Sequence, residues 1–392
     1  MLNPSYLLHA TEPAEELAEQ LHQDILAQII RRINLRFRRG DDYIMTATDK
    51  WQLETLQEAG MLLDDIQKII TASTPYMQSE IAEAMEDAGV RALHYDDEIY
   101  RRAGLDPAPL VQSPHLINIM QRDFLATLGE WKNFTGTTAD AAQQTFIRVC
   151  DRAYQQVMSG AFSPSEAVRE AFDDLITRGV YVEYYDNDGK LSRRDTIETA
   201  TARAVRTGIS QATGHIQTAR MDEMNVDLVL VSSHLGARPE HEVWQGQVYS
   251  RSGLNPKYPH FETVTGYGRV DGLCGANCRH SFGPYFEGME NPFQDYDDEE
   301  NRKQYKLEQR QRTLENRIRN TKRQVMNWKE AGDEEMYQRK SALLHKQNAV
   351  YNDFCVKNGL KKRSDRIRIA KWDRAQAAQA RAAAKRYNEG KK

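Results

Sequence analysis

The chain is poor in several things. Only 4 of its 392 residues are cysteine, too few for a disulfide framework, so a reducing compartment is expected. No stretch approaches the roughly 18 consecutive apolar residues of a membrane span, and none is expected. The opening MLNPSYLLHATEPAEELAEQ has no basic start and no apolar core ahead of a small-residue cleavage site, so a secretory signal is not expected either. There is no Gly-x-Ser-x-Gly elbow, phosphate-binding loop or dinucleotide fingerprint. The commonest hydrolase and nucleotide-binding signatures are therefore missing. No internal repeat is visible.

What is present is charge, unevenly spread. The net formal charge is −4, but residues 1–300 carry 27 Lys+Arg against 47 Asp+Glu, and residues 301–392 carry 26 against 10. An acidic body with a basic arm points to an anionic partner, or to an arm that folds back on its own acidic body. Both readings stay open at this point.

The length allows two to three domains, and the patterning divides the chain into 1–177, 178–292 and 293–392. The first segment reads as helical. Leu17, Leu21, Ile25 and Ile29 recur every four residues behind Thr11 and Pro13, which makes one apolar helix face. Asp49 is placed to start a second helix through Ile66, and further runs fit Tyr76–Arg102, Pro114–Trp131 and Ala139–Met158. Ser163-Pro-Ser-Glu166 is a capping box with proline in the first turn. The period then changes: alternation around Asn187-Asp-Gly189 predicts a hairpin. A helix is expected over Ile197–Met224, a buried strand over Val226–Ser232 and another over Gln247–Ser250. From His234 to Asn291 glycine, proline and tyrosine are too dense for helix. Helices return from Gln294, polar almost all round, with a restart at Asp333 and a second helix over Glu335–Lys357. The alanine- and cation-rich tail is expected to order at its end only on a partner. The fold class is mostly α with a small α+β module: an N-terminal helical domain, a central Gly/Pro/His/Cys-rich module with a hairpin and short strands, and C-terminal basic helices.

The chemistry concentrates in GLCGANCRH (Gly272–His280) and in SHLGARPEHEVWQGQVYS (Ser233–Ser250). His234, His241, Cys274, Cys278 and His280 offer more than the four N/S ligands of a tetrahedral zinc. The spacing is not that of a standard finger, so hydrogen-bonded structural histidines are the competing reading. A catalytic reading has less behind it. Glu240 and Glu242 are the nearby carboxylates, but position 245 is Gln where a helical metalloprotease motif needs its second His. Phe282, Phe286, Tyr267 and Tyr285 are expected to fill a small core.

The order of segments resembles a known family. A helix ending AVRTGISQATGHIQTARMDE is followed by VDLVLVSSH, GARPEHEVWQGQVYS, YPHFETVTGYG and GLCGANCRHSFGPYFEG. This is similar to the tailed-phage minor capsid protein 2 family and, more distantly, to Mu F-like head morphogenesis proteins. The matching positions are Arg206 and Thr207, Arg238 to His241 with Gln245 and Gly246, and Cys278-Arg279-His280. The resemblance implies a virion component of head assembly, at few copies, inside the capsid near the portal vertex after assembly in the host cytoplasm. Its implied partners are the portal protein and capsid or scaffold proteins. It implies no enzymatic activity. Among ligands it favours His241, Cys278 and His280, with His234 as the fourth and Cys274 or His260 as substitutes. Arg206, Arg238, Trp244, Gly246 and Arg279 are expected to be structural.

Packaged double-stranded DNA would give the basic arm an obvious anion, through Lys361, Lys362, Arg363, Arg366, Arg368, Lys371 and Arg374. Trp372 among them either stacks on a base or packs on a helix. Two other functions compete: a metal-dependent nuclease or toxin-like enzyme carried in the particle, and a non-specific nucleic-acid-binding protein.

Overall fold

A computed structural model describes residues 1–37, 47–186, 188–293 and 295–390; Asn187 of the expected hairpin turn and Gln294 lie outside them. The fold is mostly α with two small sheets. Helices α1 (Pro4–His9), α2 (Glu12–Phe37), α3 (Thr48–Arg102), α4 (Pro114–Met158) and α5 (Pro164–Arg178) come first, followed by strands β1 (Val182–Tyr185) and β2 (Leu191–Asp195) and helix α6 (Ile197–Glu223). Then come β3 (Leu228–Val231), α7 (Pro239–Glu242), β4 (Val248–Ser250), α8 (Phe261–Thr265) and β5 (Phe282–Pro284). The chain ends in α9 (Asp298–Ala331), α10 (Glu334–Lys357) and α11 (Arg374–Glu389).

Two expectations need correction. The pairs of helical runs on either side of Pro75, and from Pro114 to Met158, are single helices of 55 and 45 residues. Pro75 lies inside α3, where its ring removes one backbone donor. In the turn before it, Thr71, Ser73 and Thr74 hydroxyls donate to the carbonyls of Gln67, Ile69 and Ile70. These bonds add donors to that stretch of helix. Second, the tail is helical through Glu389, because Ala380, Ala383 and Ala384 bury one face of α11. The capping box forms as read: Ser163 Oγ accepts from the Glu166 N–H while the Glu166 carboxylate accepts from the Ser163 N–H at 2.9 Å.

The chain forms two compact units. One contains residues 1–15, 76–132 and 201–309; the other contains residues 16–75, 133–200 and 310–392. The hairpin β1–β2, paired Val182 to Asp195 and Glu183 to Arg194, belongs to the second unit. Among the described residues the other elements of the second unit are helices. Its core holds Trp51 stacked on Tyr154 with ring centroids 4.9 Å apart, and Arg36 over Trp51 at 3.9 Å.

The first unit holds the antiparallel sheet β4-β3-β5. All four residues of central β3 are buried, so both faces of the strand are covered. Val229 pairs with Tyr249 on one side and Pro284 on the other. The core beneath gathers Tyr100, Met221, Trp244, Tyr249, Phe261 and Phe282. Phe261, Tyr267 and Phe282 meet with centroids 5.0 to 5.2 Å apart. The module therefore has an aromatic core of its own.

Candidate metal centre

Three loops converge beside this core. After β3 the chain runs through Ser232, whose N–H donates to Ser281 O at 2.9 Å and whose hydroxyl accepts from the Ser281 N–H at 2.9 Å. The next turn docks on Asn301 of α9. Asn301 Oδ1 accepts from the N–H groups of Gly236 and Ala237 at 2.7 and 2.9 Å, and its amide donates to Ala237 O and to Glu242. Arg238 then occupies the N-cap position of α7, with Pro239 in the first turn, and α7 turns His241 inward.

The third loop is wound by close backbone approach. A Cβ on Gly272 would sit 2.0 Å from Gly266 O, and one on Gly275 would sit 2.4 Å from Val270 O. Cys274 and Asn277 adopt left-handed φ of 60° and 57°, which non-glycine residues seldom do. This winding, closed by the Cys278 N–H to Gly275 O bond at 3.1 Å, delivers Cys278 and His280 into the same pocket as His241.

His241 Nδ1 and His280 Nδ1 lie 3.4 Å apart, and Cys278 Sγ lies 3.8 and 3.7 Å from them. All three residues are buried. The far nitrogen of each ring is anchored: His280 Nε2 to Gln245 Oε1 at 3.1 Å, and His241 Nε2 to Asp271 O at 2.9 Å. Arg238 Nη2 also lies 3.0 Å from His241 Nε2, so the two neighbours select opposite tautomers. Trp244 packs on both rings at 4.5 and 4.9 Å. Burial holds His241 down at about 4, against the pull of its bond to the Asp271 carbonyl. Burial, reinforced by the neighbouring histidines and arginines, holds His280 well below its ordinary value. Burial also pushes the Cys278 thiol up. Both imidazoles are therefore neutral at pH 7 and the thiol is protonated.

The other expected ligands stand apart from this trio. His234 stacks on the face of His280, with centroids 4.5 Å apart and planes at 22°, and its Nδ1 lies 3.1 Å from Leu235 O. Cys274 is buried in the aromatic core. His260 meets Thr263 Oγ1 at 2.6 Å. Of the residues expected to be structural, Arg206 reaches Leu7 O, Thr11 and Asn277. Arg279 reaches Gly236 O and Glu308. Gly246, at φ 69°, donates its N–H to Ser232 O. The sequence reading missed Asn301, Gln245 as a ring anchor, and Arg302, which pairs with Glu242 at 2.5 Å. An asparagine and an arginine in a helix that is polar all round carry no pattern that marks them.

The family model for phage minor capsid protein 2 matches residues 2–355. The chain belongs to that family. A protein called "Structural protein" from Lactococcus phage LL-H is 23% identical over 325 residues, covering 80% of this chain and 85% of its own length. Another of the same name, from Lactococcus phage mv4, is 30% identical over 119 residues, which is 30% of this chain and 96% of that protein. No solved structure matches. In this family member Glu242, one of the two carboxylates that flank His241, is taken up by Asn301 and Arg302, and the other, Glu240, is exposed.

The basic arm is partly spent within its own unit. Arg363 pairs with buried Glu315 at 2.9 Å, and Lys371 pairs with Asp24. Lys322 has Trp372 beneath its ammonium, 5.6 Å from the ring centroid; Trp372 thus packs on a helix. Lys361, Lys362, Arg368 and Arg374 are exposed, and Arg366 is half-buried. No helix among the described residues is long and apolar enough to cross a membrane.

Proposed function

We propose that this minor capsid protein 2 family member is a minor structural protein of a phage head, seated inside the shell at the portal vertex. The family match over residues 2–355 carries the reading, and the two phage relatives named as structural proteins support it. In this reading the segments 1–177, 178–292 and 293–392 have separate roles. They are, in turn, helices that engage the portal and shell, a central loop-wound stretch, and an arm that faces an anion. The exposed cations Lys361, Lys362, Arg368 and Arg374 are the ones free in geometry to meet phosphate. Binding through them to packaged double-stranded DNA would be independent of sequence and steeply weakened by salt. The buried trio and the engaged Glu242 favour a structural role for the module over a catalytic one.

The composition of purified virions tests this. Quantitative mass spectrometry should find the chain at a small fraction of the major capsid copy number. Protease added to intact particles should spare it, and protease added after the heads are opened should cut it. Absence from virions, or cleavage in intact ones, overturns the proposal.

A further inference from the structure

We propose that His241, Cys278 and His280 form a buried structural site for one zinc-class divalent cation. It would be bound through both Nδ1 atoms and the Cys278 thiolate, with a water at the fourth corner. Zinc bonds of about 2.05 Å to nitrogen and about 2.3 Å to sulfur place tetrahedral ligands about 3.4 Å apart for N···N and about 3.6 Å apart for N···S. The trio shows 3.4 Å for the nitrogens and 3.7 and 3.8 Å to sulfur. Three ligand atoms from two loops thus already stand near the corners of one coordination tetrahedron.

The surroundings suit that role. Donation from His280 Nε2–H to Gln245 Oε1 and from His241 Nε2–H to the Asp271 carbonyl leaves both Nδ1 lone pairs aimed at the thiol. Such outer partners fix the tautomer and orient ligating rings. Two imidazoles and one thiolate suit a soft to borderline ion in tetrahedral geometry. One metal-free alternative has Arg238 donating to His241 Nε2, and His241 Nδ1–H donating to His280 Nδ1. That arrangement turns the Nε2 lone pair toward the Asp271 carbonyl oxygen at 2.9 Å. It also leaves an N–H···N contact of 3.4 Å, longer than the usual range.

His234 is excluded from the set by its stacking. A ligating imidazole holds the metal in its own ring plane, and a ring nearly parallel to His280 aims its lone pairs along a displaced plane. All three ligands are buried. The effect of the site is mechanical: it ties α7 to the loop that leads into β5. Binding converts the thiol to a thiolate and releases its proton to solvent, with no redox step.

The experiment uses the full chain, untagged, produced with zinc in the medium and purified without chelator. Elemental analysis should give about one zinc per chain. A strong chelator should lower the melting midpoint of the parent, and added zinc should restore it. Cys278→Ser and His280→Ala should lose the metal, while His234→Ala should retain it. Should the ligand variants fail to fold, cobalt(II) loaded into the parent should show thiolate-to-cobalt charge transfer and the intense visible bands of a tetrahedral site. The proposal fails if the folded parent holds no metal, gives no such cobalt spectrum and melts unchanged in chelator. It fails equally if Cys278→Ser keeps a full equivalent or His234→Ala loses it.

Discussion

Arg323 of α9 is the clearest single point at which to test the second unit. Its guanidinium lies between Glu19 of α2 and Glu198 at the start of α6, with side-chain exposures of 8%, 5% and 1%. His22 adds a bond from Nδ1 to Glu198 at 2.9 Å. Removing the cation leaves two carboxylates buried without it, and breaking a buried pair in this way costs about 3–5 kcal/mol. For a unit of this size, each kcal/mol moves the midpoint by about 2–4 °C, so Arg323→Met should melt about 6–20 °C lower. Adding Glu19→Gln and Glu198→Gln should recover most of that loss, because the charge and not the shape is responsible. The pH dependence has a definite sign. Burial alone would raise the Glu198 carboxyl above its ordinary 4.5, but Arg323 and His22 override it and hold the group lower. Between the folded value and 4.5 the unfolded chain binds more protons, so this stabilisation is complete above that window and is lost as pH falls through it. Differential scanning calorimetry from about pH 7 down to about pH 3 would check both arms. An Arg323→Met variant within about 0.5 kcal/mol of the parent would refute the argument. A triple variant no better than the single one would assign the loss to packing instead.

Two glycines give sharper local tests. A Cβ at Gly208 would fall 2.1 Å from Thr127 Oγ1. Replacing glycine in a helix gains about 1 kcal/mol in propensity, but overpacking costs about 1–3 kcal/mol. Gly208→Ala should therefore destabilise in chemical denaturation, and Thr127→Ala in the same chain should reverse the sign. At Gly272 the obstacle is the backbone of Gly266, 2.0 Å away, which no rotamer change relieves. Gly272→Ala should exceed the usual overpacking cost. Gly268→Ala should cost about 1–2 kcal/mol, since its Cβ meets nothing within 4 Å and only its φ of 87° opposes it. Equal melting points for the two would contradict the close-approach argument.

Helix type was legible because amphipathic periodicity is local. Of the four-residue repeat, Leu21, Ile25 and Ile29 are buried in α2 as read, and Ser163 caps α5 through the expected reciprocal bonds. Continuity was not legible. Proline at 75 is a helix-breaking signal by itself, and only the packing of a 55-residue helix overrides it. Strand β5 escaped notice because FGP is three residues of weak strand propensity. It pairs with β3 only once the Gly266–Cys278 loop has brought it back. The compact units are each assembled from three separated stretches, an organisation that no composition shift along the chain records.

The site was legible in its reactive members and opaque in its geometry, for a physical reason. Histidine and cysteine are rare enough for His241, Cys278 and His280 to stand out, whereas the residues that aim them are ordinary. Gln245 anchors one ring, a backbone carbonyl anchors the other, and Asn301 holds the turn that carries α7. The family resemblance put His234 forward as the fourth candidate ligand. In the structure His234 stacks on His280 at 22°, while the ligand atoms that lie within 4.8 Å of one another are those of His241, Cys278 and His280. Residue type thus marks candidate ligands, while their convergence is a property of placement. The second depends on glycines 266, 272 and 275, whose lack of side chains lets one loop pass within contact distance of its own backbone.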